Sequence, residues 1–216
     1  MKIRTYILIS LVILLFSCKS KDTYWKTLYE SANKEYEAYF MTLSEENYNK
    51  AISNYNLLIN DSPEYRNKSL ELKSRLLLAH NNFDDAVDAI KQIPDTSGVF
   101  PPFLTKTMRI NDIWATKAFY NLNDVEYKMY KKKIVDEMEI FIEGRRDAIY
   151  HTIKSNPIDI NYTTNSDIAA FMFYISYLED YDINTTLFVI KQWEAGVPEP
   201  NENSKTFFES IKNSSF

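Results

Sequence analysis

Residues 44–63 read SEENYNKAISNYNLLINDSP, and they hold one helix with both of its ends marked. Ser44 is an N-cap residue. Glu45 and Glu46 put negative charge into the first turn, where unpaired backbone N–H groups and the helix dipole favour it. The helix runs to about Asn60, and Asp61, Ser62 and Pro63 stop it, because proline has no backbone N–H and clashes with the turn before it. Pro63 in turn suits the first turn of a following helix, carried by Leu70, Leu72, Leu76, Leu77 and Ala79. The stretch therefore predicts helix, tight stop, helix.

Part of it recurs 35 residues later, where Tyr48-Asn49-Lys50-Ala51 is matched by Phe83-Asp84-Asp85-Ala86. Each copy has an aromatic, two polar residues and a small residue, then an apolar one, Ile52 or Val87. In the first copy Ala51, Tyr55 and Pro63 follow at intervals of 4 and 8. These positions resemble the second helix of a tetratricopeptide (TPR) repeat. There a small residue lets two helices approach, an aromatic fills the groove and a proline ends the helix. The second copy departs from the pattern, with Ile90 in the aromatic place and Pro94 early. The resemblance covers roughly residues 24–94. It implies an all-α fold of antiparallel helical hairpins stacked as a short TPR-like solenoid, whose groove would receive a peptide or partner subunit.

Towards the N-terminus, Trp25, Leu28, Tyr29, Ala32, Tyr36, Tyr39 and Phe40 fall on one face of a further helix. Tyr36 and Tyr39 are the candidate groove contacts. The chain opens MKIRTYILISLVILLFSC, with Lys2 and Arg4 ahead of an uncharged apolar run over residues 6–16. That run is long enough for the apolar core of a signal peptide and shorter than the roughly 20 residues that cross a bilayer. Leu15-Phe16-Ser17-Cys18 resembles the lipobox of bacterial lipoproteins. The resemblance implies a signal peptide over residues 1–17, cleavage before Cys18, a diacylglycerol on the Cys18 thiol, an acyl chain such as palmitate on its amine, and a lipidated tether over residues 18–23. Two or three chains on one residue make a stable anchor where one is marginal. Lys19 stands where an aspartate would signal inner-membrane retention, which leans the expected address towards the outer membrane, with surface exposure an open option.

Towards the C-terminus, residues 95–102 (DTSGVFPP) are the clearest internal break. A further helical region over residues 103–216, continuous with the first, follows it. Its segments include a face of Trp114, Ala115, Ala118, Phe119 and Leu122, a helix over 125–142, and an almost wholly apolar helix over 168–178. Residues 118–124 (AFYNLND) resemble another TPR-type turn, with Lys128 where a small residue is expected. Residues 156–165 read as a loop and 196–204 as a loose segment. About ten helices and essentially no sheet are expected.

Removing Lys2 and Arg4 leaves 23 basic residues against 30 acidic ones, a net charge of −7, which argues against nucleic acid as a partner. Three glycines exclude Gly-rich phosphate loops. Cys18 is the only cysteine, so no disulfide braces an exported domain. His80 and His151 stand alone, without metal-ligand spacing. Residues 180–184 (DYDIN) begin like a calcium loop, but Thr185 and Lys191 replace its glycine and its final glutamate. Lys131-Lys132-Lys133 and Arg145-Arg146 read as a basic patch on solvated helix faces. No cofactor, metal or catalytic set is expected. The reading that results is a membrane-anchored, non-enzymatic protein-interaction module of the bacterial cell envelope, with an envelope protein as partner. A glycan- or other ligand-binding surface lipoprotein and an immunity lipoprotein are the alternatives.

Overall fold

The structure, a computed structural model, describes the backbone of residues 2–160 and 164–214 and the side chains of residues 22–160 and 164–214. The expected signal peptide and Cys18 lie outside the residues whose side chains are described. Among the described residues ten α-helices follow one another: α1 (Lys2–Thr42), α2 (Glu45–Asp61), α3 (Pro63–Ala79), α4 (Phe83–Lys91), α5 (Lys106–Tyr120), α6 (Asp124–Glu143), α7 (Arg146–Ser155), α8 (Ser166–Tyr181), α9 (Ile183–Ala195) and α10 (Glu202–Ser214). Among the described residues there is no strand, so the all-α expectation holds. No helix among them is long and apolar enough to cross a membrane.

The chain divides into two compact units, Met1–Val99 and Phe100–Phe216. In the first, α1 packs on α2, α2 on α3 and α3 on α4, and α1 also reaches α3. Ala51 and Ala86 are fully buried in α2 and α4. At Ala86 the approach is close enough for the buried Ser74 hydroxyl of α3 to donate to its carbonyl at 2.9 Å. A larger side chain at either alanine would hold two helices apart. Tyr55 is also fully buried, with Leu58, Leu70, Leu76, Val87 and Ile90 completing the core.

The two matching stretches start their helices at different points. α4 begins at Phe83 itself, whereas α2 begins at Glu45, three residues before Tyr48. The turn between α3 and α4 places Asn81 in the left-handed region, with the Asn82 N–H bonded to the Leu77 carbonyl and that of Asn81 to Leu78. This is a Schellman closure, which asparagine tolerates. The α5–α6 turn repeats it atom for atom: Asn123 to Ala118, Leu122 to Phe119, with Leu122 now left-handed at φ 53°. Asn123 then caps α6 by accepting from the Glu126 N–H. Counting five residues on from Asn81 reaches Ala86, and five on from Leu122 reaches Tyr127, not Lys128. Neither is small, and α5 and α6 pack without an alanine at that point.

In the second unit α5 packs on α6, and α8 packs against α6, α7 and α9, while α10 closes on both α7 and α9. α8 is the central helix that its apolar sequence predicts: Ile168, Phe171, Tyr174, Ile175 and Leu178 are buried. Phe171 lies 4.8 Å from Trp193 of α9, and Phe207 and Phe208 of α10 pack on it at 6.2 and 6.4 Å. The segment before α10 is tied down where a loose one was expected. Asn201 and Ser204 exchange capping bonds, and the Asn201 and Asn203 amides donate to the Lys154 carbonyl of α7. These asparagines are spent on backbone groups that would otherwise lack partners.

Candidate functional site

Along α1, Tyr29, Asn33, Tyr36 and Phe40 recur at intervals of 4, 3 and 4, which puts them on one helical face. That face meets α3 at Tyr29 and α2 at Asn33. Tyr29 stacks on Tyr65 of α3, with ring centres 4.8 Å apart. Asn33 accepts at 2.9 Å from the hydroxyl of Tyr55, which rises from α2 beneath the seam. Burial is the main force pushing the Tyr55 phenol far above its ordinary pKa, with the electrostatics of Tyr29, Tyr36 and Glu71 adding to it. The group is a fixed neutral donor.

Beside Tyr36, the α3 helix contributes Glu71 and Arg75, joined by a 2.5 Å ion pair. Glu71 is only 8% exposed, whereas half of the Arg75 side chain meets solvent. Burial opposes the charge on Arg75, but the electrostatics of Glu71, and after it those of Tyr36, favour the charged form. The α1–α3 seam therefore combines half-buried aromatic rings with a positioned guanidinium, the mixture that receives extended peptide: flat apolar area, little entropy to lose, and a charged donor that fixes register.

Tyr36 and Tyr39 part company here. Tyr36 is half-buried on the seam, while Tyr39 is buried and turned towards Tyr48 of α2, 5.6 Å away. Tyr39 is core. Sequence periodicity missed Asn33, because a polar residue on an apolar face does not count towards it. The signal was present as the interval 29–33–36–40.

His80 is not a bare turn residue. Its ring stacks on Tyr48 at 4.1 Å, and Nε2 lies 2.8 Å from Glu45 Oε1. It joins the C-terminal end of α3 to the N-terminal end of α2. His151 lies at the rim of a depression of about 420 Å³ in the second unit, between α7 and the α9–α10 segment. Two polar side chains of that depression are already engaged: the Tyr150 hydroxyl donates to the Trp193 carbonyl and Lys154 Nζ to the Pro198 carbonyl.

The basic patch resolves into pairs. Lys131 is buried and bonds Asp180 at 2.9 Å, with Asp112 at 3.7 Å and the Tyr177 ring beneath it at 4.8 Å. Arg109 approaches the other oxygen of Asp112 at 3.3 Å, so the cluster is neutral and joins α5, α6 and α8. Lys132 pairs with Asp136, Arg145 with Asp167, and Arg146 with Glu143. The calcium-like residues 180–184 form a helix junction, in which Asp182 caps α9 by accepting from the Asn184 N–H and the Thr185 hydroxyl. Among the described residues no group of three or more potential ligands could hold a metal ion.

No protein-family model matches the chain, and no curated protein or solved structure matches it either.

Proposed function

We propose that the chain is a lipid-anchored, non-enzymatic interaction module of a bacterial cell envelope, and that its first unit is a short TPR-like array receiving an envelope protein. The observation that carries this reading is the packing of the first unit. Successive hairpins stack with α1 against both α2 and α3, and Ala51 and Ala86 are buried. The α1–α3 seam then offers Tyr29, Tyr36, Phe40 and Arg75 to an extended segment of the partner. The leader over residues 1–17 supplies the address, and the lipid on Cys18 supplies the anchor. A tether of this kind holds the module in a thin layer beside the membrane, so that modest intrinsic affinity towards a co-resident protein suffices.

The test is crosslinking in intact cells followed by affinity capture through a C-terminal tag, with wild type, Cys18→Ala and Tyr36→Ala/Arg75→Ala compared. A specific envelope protein is expected with wild type, to be lost with either variant. Capture that survives both variants, or turnover of a cell-wall or glycan substrate by purified protein without any captured partner, would overturn the proposal.

A further inference from the structure

The end of the first unit nearest Cys18 carries two aromatic residues that its core does not take up. Tyr24 and Trp25 lie at the start of the residues of α1 whose side chains are described, one turn before Tyr29 stacks on Tyr65. Tyr24 is 54% exposed and Trp25 is half-buried. Their rings meet edge to face at 4.8 Å. Among the described residues neither the Tyr24 hydroxyl nor the Trp25 indole N–H has a hydrogen-bond partner. Tyr39 and Tyr55 of the same unit are buried instead, and the Tyr55 hydroxyl is bonded to Asn33.

Chain length limits how far these rings lie from Cys18. Tyr24 is six residues past it and Trp25 seven, so at most about 25 Å of chain separates them, however the residues between are folded. A lipid on Cys18 puts that residue at the bilayer surface and both rings within reach of the same layer. Charge at this end is mixed: Lys19, Lys21 and Lys26 are balanced by Asp22, Glu30 and Glu64. Lys26 lies 3.9 Å from Glu30, and burial, then Glu64, Glu30 and Asp22, push the Tyr65 phenol up. An electrostatic hold on anionic lipid is therefore not what this end offers. It offers two flat rings, each with an apolar body and a polar tip, the residue types that settle at a membrane–water interface.

We propose that Tyr24 and Trp25 are a second membrane contact of the first unit, seated at headgroup depth beside the lipid on Cys18. The hydroxyl and the indole N–H then bond to headgroups or interfacial water, and the ring bodies lie against the upper acyl chains. A covalent anchor alone holds a domain near the bilayer without orienting it. A second contact six residues on sets which end of α1 is lowest. The seam residues then lead outwards from the membrane, Tyr29 first, then Asn33, Tyr36 and Phe40, and stay open to a partner. The inference rests on the proposed lipidation of Cys18, which brings the membrane within reach.

The experiment uses the chain purified from producing cells and reconstituted into phosphatidylcholine vesicles, with bromine on the acyl chains as a quencher of tryptophan fluorescence at depth. The chain has three tryptophans, Trp25, Trp114 and Trp193, so Trp25→Phe isolates the contribution of Trp25. Brominated lipid should quench the wild type, and should quench Trp25→Phe at least about twofold less. Tyr24→Ser, a change at an exposed position, should weaken the quenching while the melting temperature stays that of the wild type. Added salt should alter none of these results. Equal quenching in wild type and Trp25→Phe, a Trp25 as open to aqueous acrylamide on vesicles as in the Cys18→Ala chain, or quenching abolished by salt would overturn the contact. Mass spectrometry of the purified N-terminus tests the anchor separately. If Cys18 is unmodified, the anchoring reading fails; the thiol, the only one in the chain, is then coupled to a maleimide-bearing lipid, and the same quenching still decides the contact.

Discussion

Gly196 shows how a single hydrogen atom can be required by packing. Its φ is ordinary, so the left-handed region is not the reason for glycine. A Cβ built there would stand 2.6 Å from the Tyr150 hydroxyl, which is held by its bond to the Trp193 carbonyl. Gly196→Ala should therefore destabilise the protein by about 1–3 kcal/mol in denaturant melts, the usual range for overpacking. Tyr150→Phe removes the clashing oxygen, so the double variant should recover part of that loss; strict additivity would show that the two do not meet. Lys131 carries a different lesson. In sequence it is the first of three lysines and reads as solvated. Its partners Asp112 and Asp180 lie on other helices, and only packing brings them to it. Charge runs do not announce which member is turned inwards.

Among the helices, Ala51 and Ala86 carry the argument. Both are fully buried at helix contacts, so Ala51→Trp and Ala86→Trp should each cost about 1–3 kcal/mol or more, and wild-type melting in both would remove the idea that these alanines set the helix approach. The α9 helix depends on a charged cap. The Thr185 hydroxyl, and after it the Asn184 N–H, hold the Asp182 carboxyl below its ordinary pKa. A lowered folded pKa means that the cap's contribution is fully present above the ordinary aspartate value of about 3.9, and is lost as pH falls through the lowered one. Melting temperatures between about pH 4.5 and 2 should thus fall less steeply for Asp182→Asn, which caps without titrating. Identical slopes would show that the cap is not coupled to folding. The helices and many of their ends were legible, because Ser44 and Pro63 mark two of them by local chemistry and residues 156–165 read as a loop; the Asn165 cap of α8 came only from the structure. The Asn201–Ser204 closure was not legible: Asn201 and Asn203 bond Lys154, 47 and 49 residues away.

At the scale of the molecule, each unit has a core of its own. That of the second runs from Phe103 and Met108 through Phe171 and Trp193 to Phe208 and Ile211. Residues 100–216 produced alone should therefore give a helical circular dichroism spectrum and one cooperative melt; a gradual, non-cooperative loss of signal would show that the second unit depends on the first. The division between the units falls within residues 95–102, whose glycine and prolines already interrupt the helical pattern.

Sequence by itself determined that this chain is helical, where many helices begin and end, and that a small residue recurs before a buried stretch. Those properties follow from backbone chemistry and spacing within a few residues, which a linear pattern records. Tertiary structure decided which aromatic of α1 is core and which faces the seam, that Lys131 is neutralised inside the second unit, and that Phe119, Leu122 and Val125 are left at the surface. Each of these depends on which helix lies opposite, a relation between residues tens of positions apart that periodicity along one helix does not contain.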